Sequence, residues 1–267
     1  MPSLPGRQTG AVNSVKPPND HAVAWVTGAG KGIGKYLALR LAAEGWTVAA
    51  SARTEEDLVK LETACPSQRI TGFPLDVTDA ARTEEVVARI EAHIGPLDLI
   101  VLNAGTHAAM PVTEFSTATF RHLVDTNLMG TVHGLEAIIP RLIARKAGRI
   151  AVVASLAGYR GLPTAAAYGA TKAALTNMCE ALRPDLDKHG VVLQLINPGF
   201  VKTPLTDKNK FAMPFLMPVE DAVEAIMRGL SGRTFEIAFP GRFAFLMKIL
   251  RSLPYRLFFA LTARLIK

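Results

Sequence analysis

The sequence predicts an α/β protein built on one doubly wound parallel sheet of about seven strands, with helices on both faces and a C-terminal amphipathic helical extension. Three observations carry this reading. Short apolar runs alternate with segments of helical periodicity, and the first run ends in a glycine array that opens a helix. Hydrophobic residues make up 49% of the chain against 20% charged, enough to bury a large core. A length of 267 residues is compatible with a single domain of this class.

The elements follow in order. AVAWVTG reads as a strand, the glycines after it as a tight turn, and KYLALRLAAEGW as a helix. The pattern repeats with TVAASAR and EEDLVKLETA, with ITGFPLDV and EEVVARIEAHI, and reaches a fourth strand at LDLIVLNAG. One long helix is expected from near Phe120 to Arg145, then the strand GRIAVVAS, a helix over Ala167 to Asp187, and the strand VVLQLINPG. VEDAVEAIMRGL is a further helix and FEIAFP the last strand. Strands separated by helices imply crossover connections, and ligands in such sheets bind beyond the carboxyl ends of the strands.

The two ends differ from the middle. Residues 1–20 are rich in Pro, Gly and Ser without an apolar run, so a flexible leader is expected there and no secretory signal. Residues 21–240 form the expected catalytic domain, and 241–267 a basic tail. The formal charge of +7 sits mainly in that tail, which holds six basic residues and no acidic one, leaving the body neutral. This distribution argues against nucleic-acid binding, for which a base-reading motif is also missing. Cys65 and Cys179 stand far apart without CxxC or Cys/His spacing, which suggests neither disulfides nor a metal site. A reducing, cytoplasmic setting is expected, with the cytoplasmic membrane surface open to the tail.

The first strand runs into Thr27, Gly28, Ala29, Gly30, Lys31, Gly32, Ile33 and Gly34. Glycines allow a tight turn and let backbone amides approach a pyrophosphate at the helix N-terminus. A plain turn would also select glycine, but the place after a first strand favours a dinucleotide. The second strand ends in Ser51, Ala52 and Arg53, with no carboxylate for a free ribose 2′-hydroxyl. Arg53 instead suits a 2′-phosphate, with Lys31 adding charge, so NADP(H) is expected over NAD(H). Asp76, with Val77 beside it, is expected near the adenine, and Asn103, Ala104 and Gly105 at the end of the fourth strand are expected to shape the cofactor loop.

Tyr168 and Lys172 form a YxxxK unit whose side chains share one helix face. A lysine cation beside a tyrosine stabilises phenolate, so a depressed pKa and a general acid/base role are expected for Tyr168. Ser155, thirteen positions earlier at a strand end, offers a hydroxyl to the substrate oxygen. Asn127 in DTNLMG is expected to organise a water linked to Lys172.

Together these motifs make the chain resemble the classical short-chain dehydrogenase/reductase family, a Rossmann-type fold, over roughly residues 22–205. The matching pieces are TGAGKGIG, LDVTD, NAG, Asn127, Ser155, YGATK and NPGFVKT. The resemblance implies Asn127, Ser155, Tyr168 and Lys172 as the catalytic tetrad, with Lys172 also contacting the nicotinamide ribose. It also implies that Pro198 to Thr203, including Gly199 and Val201, line the nicotinamide, and that the activity interconverts a carbonyl and an alcohol. A cofactor-binding protein of the same fold without turnover is the competing class.

The tail departs from the family pattern, in which a Gly-rich segment completes a tetramer. A homo-oligomer, dimer rather than tetramer, is therefore expected. Helices are predicted over Phe243–Leu253 and Pro254–Ile266, with Leu246, Ile249, Leu250, Leu253, Leu257, Leu261 and Leu265 at helical spacing. Their interruption by Lys248, Arg251, Pro254 and Arg256 argues against a spanning helix. Such a segment suits an anionic membrane interface, or else packs on the body, covers the cleft or forms a dimer contact. The loop 203–218, with Phe211, Met213, Phe215, Leu216 and Met217, is the expected substrate lid, and its apolar character points to a hydrophobic, lipid-like carbonyl or alcohol.

Overall fold

The computed structural model describes residues 15–207 and 213–265. Seven parallel strands lie in the order β3-β2-β1-β4-β5-β6-β7. They are β1 (Val23–Thr27), β2 (Thr47–Ala52), β3 (Ile70–Pro74), β4 (Leu97–Leu102), β5 (Arg149–Val153), β6 (Val192–Pro198) and β7 (Glu236–Phe239). Between them run α1 (Gly32–Ala43), α2 (Glu55–Thr63), α3 (Ala80–His93), α4 (Thr117–Leu123), α5 (Gly130–Arg145), α6 (Ala166–Lys188) and α7 (Val219–Ser231). The tail forms α8 (Gly241–Ser252) and α9 (Tyr255–Thr262), followed by a 3₁₀ turn.

Strand alternation sends successive side chains to opposite faces, and both faces are covered. Ala24 and Val26 of β1 join one core with Leu37 and Leu41 of α1 and Ile226 of α7. Val23 and Trp25 join the other, with Ile90 of α3, Ile138 of α5 and Leu175 of α6. This explains why the strands read as nearly continuous apolar runs. The chain order reverses between β1 and β4, so the connections leaving these neighbours diverge and open a crevice at their carboxyl ends.

Three expectations are corrected. The helix expected from Phe120 to Arg145 is continuous but not α-helical throughout: a π-helical stretch, Val124–Met129, lies between α4 and α5 and carries Asn127. π-turns add a residue to the helical ring and re-aim the side chains within it. The leader is not unpacked throughout: Val15 is buried, its N–H donates to the Met227 carbonyl at 3.0 Å, and Lys16 pairs with Glu44. Residues 1–14 lie outside the described residues, as do Phe211 of the lid and Ile266–Lys267 of the tail. Finally, β5 stops at Val153, and Ser155 caps a 3₁₀ turn rather than ending the strand.

The crevice is held by Thr27. Its buried hydroxyl accepts the backbone N–H of Asn103 (3.0 Å) and of Ala104 (3.1 Å), joining the ends of β1 and β4. Thr27→Val keeps the shape and removes the acceptor, stranding two donors. Urea denaturation is expected to show a loss of about 2 kcal/mol, the cost of buried groups left unpaired; an unchanged midpoint would show that the clamp is not needed.

Candidate active site

A cavity of about 540 Å³ opens at the carboxyl ends of the strands, within the range of small-molecule and cofactor sites. Gly28, with φ of +66°, starts the turn after β1, and Gly32, at +55°, ends it. Lys31 occupies the N-cap of α1 without a side-chain cap, so the first amides of that helix face the cavity unmet by protein. This is the cradle an anionic pyrophosphate requires. Asn103 secures the turn from below, its Nδ2 donating to the carbonyls of Thr27 (2.9 Å) and Gly28 (3.3 Å).

Gly34 is not part of the cavity wall. A Cβ there would lie 2.4 Å from the Gly28 oxygen and 2.5 Å from Asn103 Nδ2. Its role is the close approach of α1 to the turn, not contact with a ligand. Gly30, Ile33, Val77, Ala104, Gly105, Pro198, Gly199, Val201 and Thr203 all line the cavity as expected.

The far end of the cavity is less positive than the sequence suggests. Arg53 lines it, and among the described residues forms no ion pair. Lys31, however, pairs at 3.1 Å with Asp57, in the first turn of α2, and Asp57 lines the same cavity. Sequence reasoning missed Asp57, although its place four residues after Arg53 puts it one helical turn from the strand end. Asp76 is engaged locally, accepting from the N–H (3.0 Å) and hydroxyl (2.8 Å) of Thr78. Burial opposes its ionisation, but these bonds and nearby Arg53 hold its carboxyl below the usual value.

At the other end, Ser155, Tyr168 and Lys172 converge. All three line the cavity, and the Ser155 hydroxyl is placed to favour the Tyr168 phenolate. The Ser155 Oγ also accepts the Ala157 N–H at 3.1 Å, which fixes its rotamer. Lys172 is buried, its Nζ donating to the Val153 carbonyl at 2.8 Å and lying 5.8 Å from the Tyr168 ring centroid. Burial lowers the Lys172 pKa to about 8. The expected depression of the Tyr168 pKa is reversed in the protein by itself: burial raises it, and the Ser155 hydroxyl offsets this only in part. His107, from the loop after β4, packs edge-on to the Tyr168 ring at 4.8 Å between centroids.

Asn127 stands behind this wall rather than on it. Its Oδ1 accepts the Thr106 N–H (2.7 Å), and its Nδ2 donates to the Thr106 carbonyl (3.0 Å) and to Thr171 Oγ1 (3.2 Å). All three bonds are to protein, so the amide ties the loop after β4 to the helix bearing Tyr168. A Cβ on Gly105 would sit 3.3 Å from Asn127 Oδ1 and 3.5 Å from Lys172 Nζ, so Gly105 leaves room for both. Neither Thr106 nor Thr171 was singled out from sequence, though Thr171 lies inside the YxxxK unit.

The sequence pattern described as short chain dehydrogenase matches residues 22–213. The chain belongs to the short-chain dehydrogenase family. An uncharacterized oxidoreductase of Myxococcus xanthus is 40% identical over 247 residues, covering 92% of this chain and 98% of the relative. A variant of actinorhodin polyketide ketoreductase solved with NADPH is 26% identical, with a TM-score of 0.76 over 85% of this chain and 98% of that one. A short-chain dehydrogenase/reductase of Burkholderia phymatum solved with NAD shares the fold, with a TM-score of 0.78 at 23% identity over 85% of this chain and 92% of that one. Within this family the chain is an oxidoreductase on a Rossmann-type sheet.

The depressed Lys172 has a signature in stability. Between about 8 and its ordinary 10.5, the unfolded chain holds a proton that the folded protein has released. This group therefore adds stability as pH rises through that window and withdraws it as pH falls through 8. Lys172→Met abolishes the dependence. The stability of the parent minus that of the variant is expected to rise by about 2 kcal/mol from near pH 7 to near pH 9.5 in urea denaturation. A flat difference would show an unperturbed lysine.

Proposed function

We propose that the chain is an NADP(H)-dependent oxidoreductase that interconverts a carbonyl and an alcohol, with Tyr168 as the general acid and base. The observation that carries this is the convergence of Ser155, Tyr168 and Lys172 at one end of a cavity whose other end is a glycine cradle. In the reductive direction Tyr168 donates its proton to the substrate oxygen as negative charge develops there. Ser155 donates a hydrogen bond to the same oxygen. Lys172, positioned by the Val153 carbonyl, offers a cation to the phenolate that remains. Asn127 is a positioning residue that holds the loop bearing Thr106 against α6.

A nicotinamide cofactor fits the residues present: the uncapped start of α1 for its phosphates, Val201 and Thr203 for the ring end, and Lys172 for the ribose. When bound, it supplies or accepts the hydride. Arg53, with no acidic residue at the end of β2, favours the 2′-phosphate of NADP(H), and the Asp57–Lys31 pair leaves Arg53 as the cation for it. A hydrophobic substrate is favoured by the apolar lid, in which Phe215 and Leu216 are exposed and Met217 pairs with Val201.

Three measurements test this reading. Tyr168→Phe is expected to lower kcat about 10²–10⁴-fold on any accepted ketone, the usual worth of a positioned acid; full turnover would overturn the assignment. Steady-state rates with NADPH and NADH across ketones of increasing chain length are expected to favour NADPH and the longer ketones. Arg53→Ala should cut kcat/KM for NADPH about 10–100-fold, with NADH little changed, as for loss of a charge-assisted bond. Equal use of both cofactors, or a preference for small polar carbonyls, would sink the corresponding half of the proposal.

A further inference from the structure

Seven of the fourteen exposed large hydrophobic side chains among the described residues lie between Phe245 and Leu261. The inner stripe of α8 accounts for its docking: Ala244 and Met247, with Phe243 and Leu250, pack on Leu156 and Tyr159. Phe245, Leu246 and Ile249 turn outward on the opposite side. In α9 only Phe258 and Thr262 are buried, while Tyr255, Leu257, Phe259 and Leu261 are exposed. A helix on a water-facing surface carries polar residues on its outer side; this pair reverses the pattern.

The face is held in place. The guanidinium of Arg160 lies 4.7 Å from the Tyr255 ring centroid and 4.5 Å from that of Phe258, and donates to the Arg251 carbonyl at 2.5 Å. Glu236 accepts from Tyr159, from Asn197 at 2.8 Å and from Lys248 at 2.6 Å, joining α8 to β7. The apolar surface is thus anchored to the body at both helices.

Charge identifies the occupant. Every ionised side chain of the described tail is basic, and only Lys248 is neutralised, by Glu236. Arg242, Arg251, Arg256 and Arg264 form no ion pair among the described residues. A second copy meeting this face about a two-fold axis would set these cations against their own counterparts. An anionic lipid surface instead offers acyl chains to the rings and phosphates to the guanidinium groups. No helix among the described residues is long and apolar enough to cross a membrane.

We propose that the outer face of α8 and α9 docks in the interfacial plane of an anionic lipid bilayer. Beside this face, Phe215, exposed like its neighbour Leu216, stacks at 5.7 Å on Phe243 at the start of α8. The inference stands apart from the substrate and cofactor assignments, since its readout is partition and not turnover.

The test is co-sedimentation of the full chain with vesicles of phosphatidylcholine alone and of phosphatidylcholine mixed with phosphatidylglycerol. Binding is expected to the mixed vesicles, weakened by salt, with little to the neutral ones. The triple variant Phe245→Asp/Leu257→Asp/Phe259→Asp should lose at least tenfold in partition, and Arg251→Gln/Arg256→Gln/Arg264→Gln should lose partition together with its salt dependence. Circular dichroism and melting temperature verify that both variants remain folded. The proposal is overturned if the parent stays in the supernatant with both vesicles, or if folded variants bind as the parent does. It is equally overturned if the parent is a dimer by analytical ultracentrifugation that the aspartate variant dissociates, with no vesicle binding.

Discussion

The site depends on a topological constraint: β1 and β4 are hydrogen-bonded neighbours whose following segments must leave in opposite directions. A gap at that point is unavoidable in a doubly wound sheet, but its shape is not. Thr27 and Asn103 set it, the first by gathering two backbone N–H groups, the second by bonding to two carbonyls of the glycine turn. The tight contact at Gly34 then brings α1 onto the same turn. Thr27, behind the cavity, and Asn103, on its wall, thus define the aim of the helix that opens on it.

At the Tyr168 end of the cavity, geometry and electrostatics work against each other. Burying an ammonium is costly, and the depressed Lys172 is the result. The Val153 carbonyl and the space above Gly105 keep that ammonium near the Tyr168 ring. The phenol, partly buried at the cavity wall, is in the protein alone reluctant to ionise. Perturbed groups in a cleft are the usual mark of residues tuned for proton transfer. The π-turn carries Asn127, whose amide bonds to Thr106 and Thr171 join the loop after β4 to the helix of Tyr168.

Much of this was legible in sequence because it rests on periodicity and on residues with narrow uses. The sheet follows from apolar runs such as LDLIVL, and the cradle from glycines required at positive φ. Ser155, Tyr168 and Lys172 were found because their spacing and chemistry agree. The remainder depends on contacts between segments far apart in the chain. Nothing in DTNLMG announces a π-turn, and the pairing of Lys31 with Asp57 appears only when α2 is set against the glycine turn. Val15 was misread because local composition says nothing about the groove near Trp46 and Met227 into which it fits.

The aromatic contacts of Phe243 carry a consequence for how this chain can be altered. That ring stacks on Phe200, next to the Pro198–Gly199 wall, and leaves no room for a side chain at Gly199. Its helix also covers Tyr159 and Leu156, the latter immediately following Ser155. The tail therefore backs the Pro198–Gly199 wall of the cavity on one side while presenting its apolar surface on the other. Cutting the chain at Gly241 would remove the support behind Gly199 and the outer apolar surface at a stroke. Substitutions confined to the outer side chains would separate the two properties.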